Sequence, residues 1–173
     1  MKALSRKTSR AAARSNNAAR TEFLTFSLAG DEYAARIVVV AEIVRSPPIT
    51  EVPRAPRCVL GVASVRGRLV TVIDGRRRLG LPEAAPGARS RILLVDTGGG
   101  EFVGVMVDAV LQVLRLSALE IEPASVLGGD QPAHVVGIGR PEGASGESTA
   151  MRASAASAII VIVDLMNLVQ AVA

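Results

Sequence analysis

A chain of 173 residues, 49% apolar and 21% charged, has the composition of a folded protein with room for a core rather than of a disordered one. Aromatics make up only 2%, and a single cysteine and a single histidine exclude a disulfide framework and a Cys/His zinc site. The net charge of +4 originates at the start of the chain: residues 1–20 carry Lys2, Arg6, Lys7, Arg10, Arg14 and Arg20 and no acid, so the remainder is weakly acidic.

Residues 1–20 read as a disordered basic tail without the apolar core of a secretory signal. "TEFLTFSLAGDEYAARIVVVAEIV" alternates Leu24, Phe26 and Leu28 with Thr25 and Ser27, then turns at Gly30-Asp31, the pattern of a β-hairpin. Pro47, Pro48, Pro53 and Pro56 make "SPPITEVPRAP" a connection, expected to cross from one sheet to another. "CVLGVASV" and "RLVTVID" form a second hairpin around Arg66-Gly67, and "RILLVDTGGGEFVGVMVDAV" a third around Gly98, Gly99 and Gly100. "VLQVLRL" adds a strand, and "EIEPASVLGG" leaves it through a proline. Short strands between turn signals, with little helical periodicity, predict an all-β barrel or sandwich. "LVTVIDGRRRLGL" and "IIVIVDLMNLVQA" echo each other as apolar strand, aspartate and short helix, with Asp74 and Asp164 as N-caps. Residues 140–158, small and polar, read as a mobile loop. The longest apolar run, residues 158–169, is interrupted by Asp164 and falls short of the roughly 20 residues that span a bilayer, so a cytoplasmic protein is expected.

Catalytic groups are scarce. His134 has neutral neighbours in sequence, and Cys58 opens an apolar strand, where a thiol is inert. "GGGE" lacks the Lys-Ser/Thr of a phosphate loop, and Pro141 stands where a dinucleotide-binding helix would begin. Neither enzyme activity nor a metal or cofactor is expected. Residues 54–91 hold nine arginines against Asp74 and Glu83, whereas residues 92–173 hold nine acids against Arg115, Arg140 and Arg152. Such polarity suits a protein oriented by its partners. The alternative, a basic β-barrel that binds nucleic acid, lacks stacking aromatics beyond Phe23, Phe26, Phe102 and Tyr33.

The order of motifs resembles the CheW-like family of chemotaxis coupling proteins, from about Glu22 to Val169. Its "FxxFxLxxxxYA" corresponds to Phe23, Phe26, Leu28, Tyr33 and Ala34, and its "VxEI" to Val40, Glu42 and Ile43. Its "P…GVxNLRGxxxPVxDLxxxLG" corresponds to Pro56, Gly61, Val62, Arg66, Gly67, Val72, Asp74, Leu79 and Gly80. Its "VGxxVDxVxxVxxL…I…P" corresponds to Val103, Gly104, Val107, Asp108, Val110, Val113, Leu116, Ile121 and Pro123. The resemblance implies two packed, intertwined five-stranded SH3-like β-barrel subdomains with short helices, spanning residues 21–173. It also implies a non-catalytic scaffold coupling methyl-accepting chemoreceptors to a CheA-type histidine kinase, associated with receptor arrays. One surface would bind the kinase regulatory domain, and a groove would receive the tip of the receptor's cytoplasmic hairpin.

The positions that match partner-binding ones are Val40, Glu42, Gly61, Arg66 and Val113. Arg66, on a rigid turn, would present its guanidinium to a partner carboxylate or carbonyl, while Val40 and Val113 would line the receptor groove. Arg76, Arg77 and Arg78 read as a solvated helical face. Ser64, Thr71 and Gly75 depart from the family's asparagine, proline and leucine. Glycine inside a helix costs about 1 kcal/mol relative to alanine, which predicts a weak helix after Asp74.

Overall fold

The computed structural model describes residues 20–126, 133–141 and 159–170. The expected basic tail, apart from Arg20, and the expected loop, apart from its first two residues, lie outside the described residues. In chain order the strands are β1 (Thr21–Leu28), β2 (Asp31–Arg36), β3 (Val40–Arg45), β4 (Ile49–Thr50), β5 (Val59–Val65), β6 (Arg68–Asp74), β7 (Arg91–Gly98), β8 (Glu101–Val107), β9 (Ala109–Leu116), β10 (Ile121–Pro123), β11 (Val135–Gly139) and β12 (Ile160–Val163). Helix α1 (Gly75–Arg78) follows β6, and helix α2 (Leu165–Gln170) follows β12.

The strands form two six-stranded sheets, β10-β11-β12-β2-β1-β9 and β4-β5-β6-β8-β7-β3. This is the all-β, two-subdomain architecture expected, with a short sixth strand, β4 or β10, added at one edge of each sheet. The two sheets match strand for strand. The hairpin β1–β2 occupies in one the place of β7–β8 in the other, and β9 to β12 stand where β3 to β6 stand. Each hairpin thus completes the sheet of the other half, joined by a parallel pairing, β12 with β2 and β6 with β8.

The echo between the two strand-aspartate segments is structural. Asp74 Oδ1 accepts the N–H groups of Arg76 at 2.8 Å and Arg77 at 3.4 Å, and Asp164 Oδ1 those of Met166 at 2.9 Å and Asn167 at 3.3 Å. The Asp74 N–H donates to the Cys58 carbonyl and the Asp164 N–H to the His134 carbonyl, both at 2.8 Å, tying each cap to the residue just before β5 or β11.

Central strands read as continuous apolar runs because both their faces are covered. In β7, Ile92 and Leu94 point into the second sheet's own core with Val70, Val72 and Met106. Its alternate residues Leu93 and Val95 join the core between the sheets, with Leu24, Phe26 and Leu28 of β1 and Leu165 and Leu168 of α2. A third cluster, Phe23, Ala34, Leu116, Ile160 and Ile162, fills the first sheet.

Three local expectations are corrected. The first hairpin turns at Ala29-Gly30, with φ +55° and +97°, and Asp31 already belongs to β2. The proline-rich connection does not change sheets: it runs between two strands of the second sheet, and its proline-free dipeptide Ile49-Thr50 pairs with Ala63 and Val62 as the edge strand β4. Gly75, read as a weak point, is buried, and a β-carbon there would meet the Met106 carbonyl oxygen at 2.7 Å and Leu28 at 3.4 Å. The glycine lets α1 sit against β8 and β1, a need that outweighs its poor helix propensity.

Candidate functional site

Arg66 and Gly67, with φ +50° and +79°, are the two central residues of the β5–β6 turn, flanked by the Val65–Arg68 pair. Two consecutive positive φ values define the type I′ turn that suits the strand twist. For arginine this left-handed conformation costs on the order of 1–2 kcal/mol, so the hairpin holds a charged residue in a place better suited to asparagine or glycine. Its side chain is 78% exposed. Nε donates to Glu42 Oε1 at 2.9 Å, and Nη2 forms an ion pair with the same oxygen at 2.6 Å.

Glu42 lies on β3, at the opposite edge of the same sheet from the β4–β5 end. The pair therefore bridges the gap across which the sheet curls toward itself. Beneath it opens a hollow of about 340 Å3 lined by Ala41, Val65, Val70, Leu94, Arg68 and Phe102. The Arg68 guanidinium lies 5.4 Å from the centre of the Phe102 ring, a cation–π contact that fixes the far wall. The sequence points to Arg68 only as one of the basic residues, and to Phe102 only as one of the few aromatics, for the nucleic-acid alternative, not as a pair; the two-residue turn was the available signal, since it puts Arg68 beside Arg66.

The other predicted positions divide. Gly61 is buried with φ +143°, and a β-carbon there would collide with the Thr50 carbonyl, so glycine is required for β4 to pair with β5. Val40 is half-buried against the core between the sheets. Val113 is 48% exposed on β9, the edge of the first sheet, beside a break in the β1–β9 register that also leaves Leu111 at 49%. Arg66 and Glu42 thus touch, Gly61 supports the hairpin from below, and Val113 belongs to the other sheet.

The expected solvated face of α1 is also corrected. Arg76 is only 18% exposed and grips Asp108 with two bonds, Nε to Oδ1 at 2.8 Å and Nη2 to Oδ2 at 2.7 Å. Asp108 Oδ2 also accepts the Ala29 N–H at 2.8 Å, so one carboxylate joins α1, the β1–β2 turn and the β8–β9 junction. Burial alone would raise the Asp108 carboxyl, but Arg76 and the Ala29 N–H outweigh it and hold it below the ordinary aspartate value. Arg78 Nε donates to the Leu168 carbonyl of α2 at 2.8 Å. Arginines spent on internal carboxylates and carbonyls are not free to track phosphates.

His134 is half-buried, and its Nε2 has no hydrogen bond among the described residues. Burial, with the Arg78 charge nearby, pushes it below the ordinary histidine value. Cys58 is a half-buried free thiol. Among the described residues no three His, Cys, Asp or Glu side chains converge as metal ligands, and no helix is long and apolar enough to cross a membrane.

Comparison with known proteins identifies the family and agrees with the fold. The family model described as "CheW-like domain" matches residues 22–173. The chemotaxis protein CheW of Rhizobium meliloti is 34% identical over 109 residues, covering 63% of this chain and 70% of that protein. Protein FrzA of Myxococcus xanthus is 37% identical over 105 residues, covering 60% and 64%. The crystal structure of the scaffolding protein TtCheW from Thermoanaerobacter tengcongensis superposes with a TM-score of 0.71 at 28% identity, over 87% of this chain and 93% of that one. The chain belongs to the CheW-like domain family, with a chemotaxis protein and a scaffolding protein among its relatives.

Proposed function

We propose that this protein is a non-catalytic adaptor that couples a methyl-accepting chemoreceptor to a CheA-type histidine kinase at cytoplasmic receptor arrays, with residues 21–173 acting as two intertwined subdomains. The observation that carries the reading is Arg66: an arginine 78% exposed, held at φ +50° in a tight turn where a smaller residue would sit with less strain. Backbone strain retained under an exposed charge is expected where the charge meets a partner. Glu42 aims the guanidinium and Gly61 keeps the hairpin seated on β4. Val113 and its neighbour Leu111 offer an apolar edge for the receptor hairpin, and Val40 supports the edge strand that carries Glu42.

The test is a reconstituted phosphorylation assay with the kinase and receptor of the organism that carries this chain. Adding the protein is expected to place kinase autophosphorylation under receptor control, and Arg66→Asn to abolish that control while leaving the kinase's basal rate unchanged. Receptor control that is the same without the protein, or with the Asn variant, would refute the reading. Retention of the full chain on nucleic acid with no effect on the kinase would favour the basic-barrel alternative.

A further inference from the structure

Arg45 ends β3 and Arg91 opens β7, and the two stand directly opposite each other in the antiparallel pair. Side chains so placed share one face, with β-carbons about 4.5–5.5 Å apart. Arg89, exposed, lies two residues before Arg91. Among the described residues none of these three arginines has an ion pair. The acids within reach along the chain are engaged elsewhere. Glu42 of β3 alternates to the other face and meets Arg66. Asp96 of β7 accepts the Gly98 N–H at the far end of its strand. Asp108 follows Val107, which stands opposite Arg91, but its two oxygens are taken by Arg76 and the Ala29 N–H. Like charges directly opposite destabilise a sheet, so the fold carries this pair at a cost.

Arg91 is also set in position. Its Nη1 donates to the carbonyls of Ser90 at 2.8 Å and Ala88 at 3.3 Å, which uses both hydrogens of that nitrogen. Its Nε and Nη2 have no hydrogen bond among the described residues. Those two nitrogens form the flat edge of a guanidinium that receives the two oxygens of one carboxylate. Two residues before Arg45 on the same face, Ile43 is 41% exposed and stands opposite Leu93 of the core between the sheets. Val113 stands opposite Leu24 of that core. The edge strands β3 and β9 therefore each turn an exposed apolar residue toward the layer between the sheets, and the unanswered arginines continue that surface on β3 and β7.

We propose that Arg45 and Arg91 are specificity residues for the receptor: the cytoplasmic hairpin that docks on this face brings a carboxylate that binds the Nε–Nη2 edge of Arg91 and is shared with Arg45, beside an apolar side chain that covers Ile43. The inference rests on the adaptor reading and adds to it the charge that the receptor must carry. A carboxylate between the two guanidiniums replaces their repulsion with two attractions. Arg89 adds to the positive field that steers an acidic segment to the face. Exposed Ile43 beside the charges favours a protein segment over a free anion.

The experiment is calorimetric binding of the full chain to the cytoplasmic fragment of the receptor of its organism, and separately to the kinase regulatory domain, for wild type, Arg45→Ala and Arg45→Glu. Arg45 is exposed and both variants remove the repulsion with Arg91, so neither is expected to lower the thermal midpoint. Receptor affinity is expected to fall about threefold for Arg45→Ala and about tenfold for Arg45→Glu, with kinase affinity unchanged. Each Asp or Glu of the hairpin tip is then replaced by Lys in turn, and at least one replacement is expected to weaken binding to wild type and restore binding to Arg45→Glu. Receptor affinity unchanged in both variants, no Lys replacement that restores Arg45→Glu, or a loss of kinase affinity in place of receptor affinity overturns the proposal and leaves the adaptor reading standing. A wild type that does not bind the receptor fragment overturns both.

Discussion

Arg66 and Glu42 tie the β5–β6 hairpin to the edge strand β3 of the second sheet: the guanidinium of a turn residue meets one carboxylate oxygen of β3 across the two intervening strands, β8 and β7. Because Arg66 is 78% exposed, the pair contributes little to stability, and a double-mutant cycle between Arg66→Ala and Glu42→Ala is expected to give a coupling below about 1 kcal/mol. Arg66→Asn keeps a residue tolerant of positive φ and relieves strain, so its thermal midpoint is expected to equal or exceed that of the parent. A clear drop in midpoint would assign the arginine a structural role.

Gly75→Ala offers a test in which two physical effects oppose each other. Helix propensity favours alanine by about 1 kcal/mol. The added methyl would stand 2.7 Å from the Met106 carbonyl oxygen and press on Leu28, an overpacking of the kind that costs about 1–3 kcal/mol. Net destabilisation by urea unfolding is the expected outcome.

Acid should weaken the fold in two windows. His134, held below its ordinary value of about 6.5 by burial, favours the neutral form when folded. The unfolded chain then binds the proton more readily, and stability falls as pH drops below about 6.5 toward the folded value. Asp108 is depressed as well, so the stability it contributes is present above the unfolded aspartate value of about 3.9 and is lost as pH falls through the lower folded one. His134→Gln is expected to flatten the first slope and Asp108→Asn the second, measured as denaturant midpoint against pH.

Arg45 of β3 stands directly opposite Arg91 of β7, a like-charge cross-strand pair. Arg91 turns its Nη1 to the carbonyls of Ser90 at 2.8 Å and Ala88 at 3.3 Å instead. Replacing repulsion by attraction with Arg45→Glu is expected to stabilise the protein by about 0.2–1 kcal/mol in urea unfolding at low salt, and by less at high salt.

Much of the fold was legible because the turns carry their own chemistry. Arg66-Gly67 and the triple glycine at 98–100 announced their hairpins, and Asp74 and Asp164 announced their helices. What local pattern does not contain is partner choice over distance. Nothing in "TEFLTFSL" says that β1 pairs with β9, whose residues lie 80 or more positions away, and this exchange of hairpins between sheets is what makes Gly75 indispensable. The arginines of α1 were misread for the same reason: Asp108, the partner of Arg76, is 32 residues away and becomes adjacent only when β8 runs parallel to β6.

The most direct measurement of the central claim is the affinity of the full chain for the kinase regulatory domain and for a receptor cytoplasmic fragment, by calorimetry, for wild type and Arg66→Asn, with thermal midpoints recorded on the same samples. Wild type is expected to bind both partners, and the variant to lose at least one of them with its midpoint undiminished. Wild type binding neither partner, or the variant binding both as tightly as wild type, would contradict it.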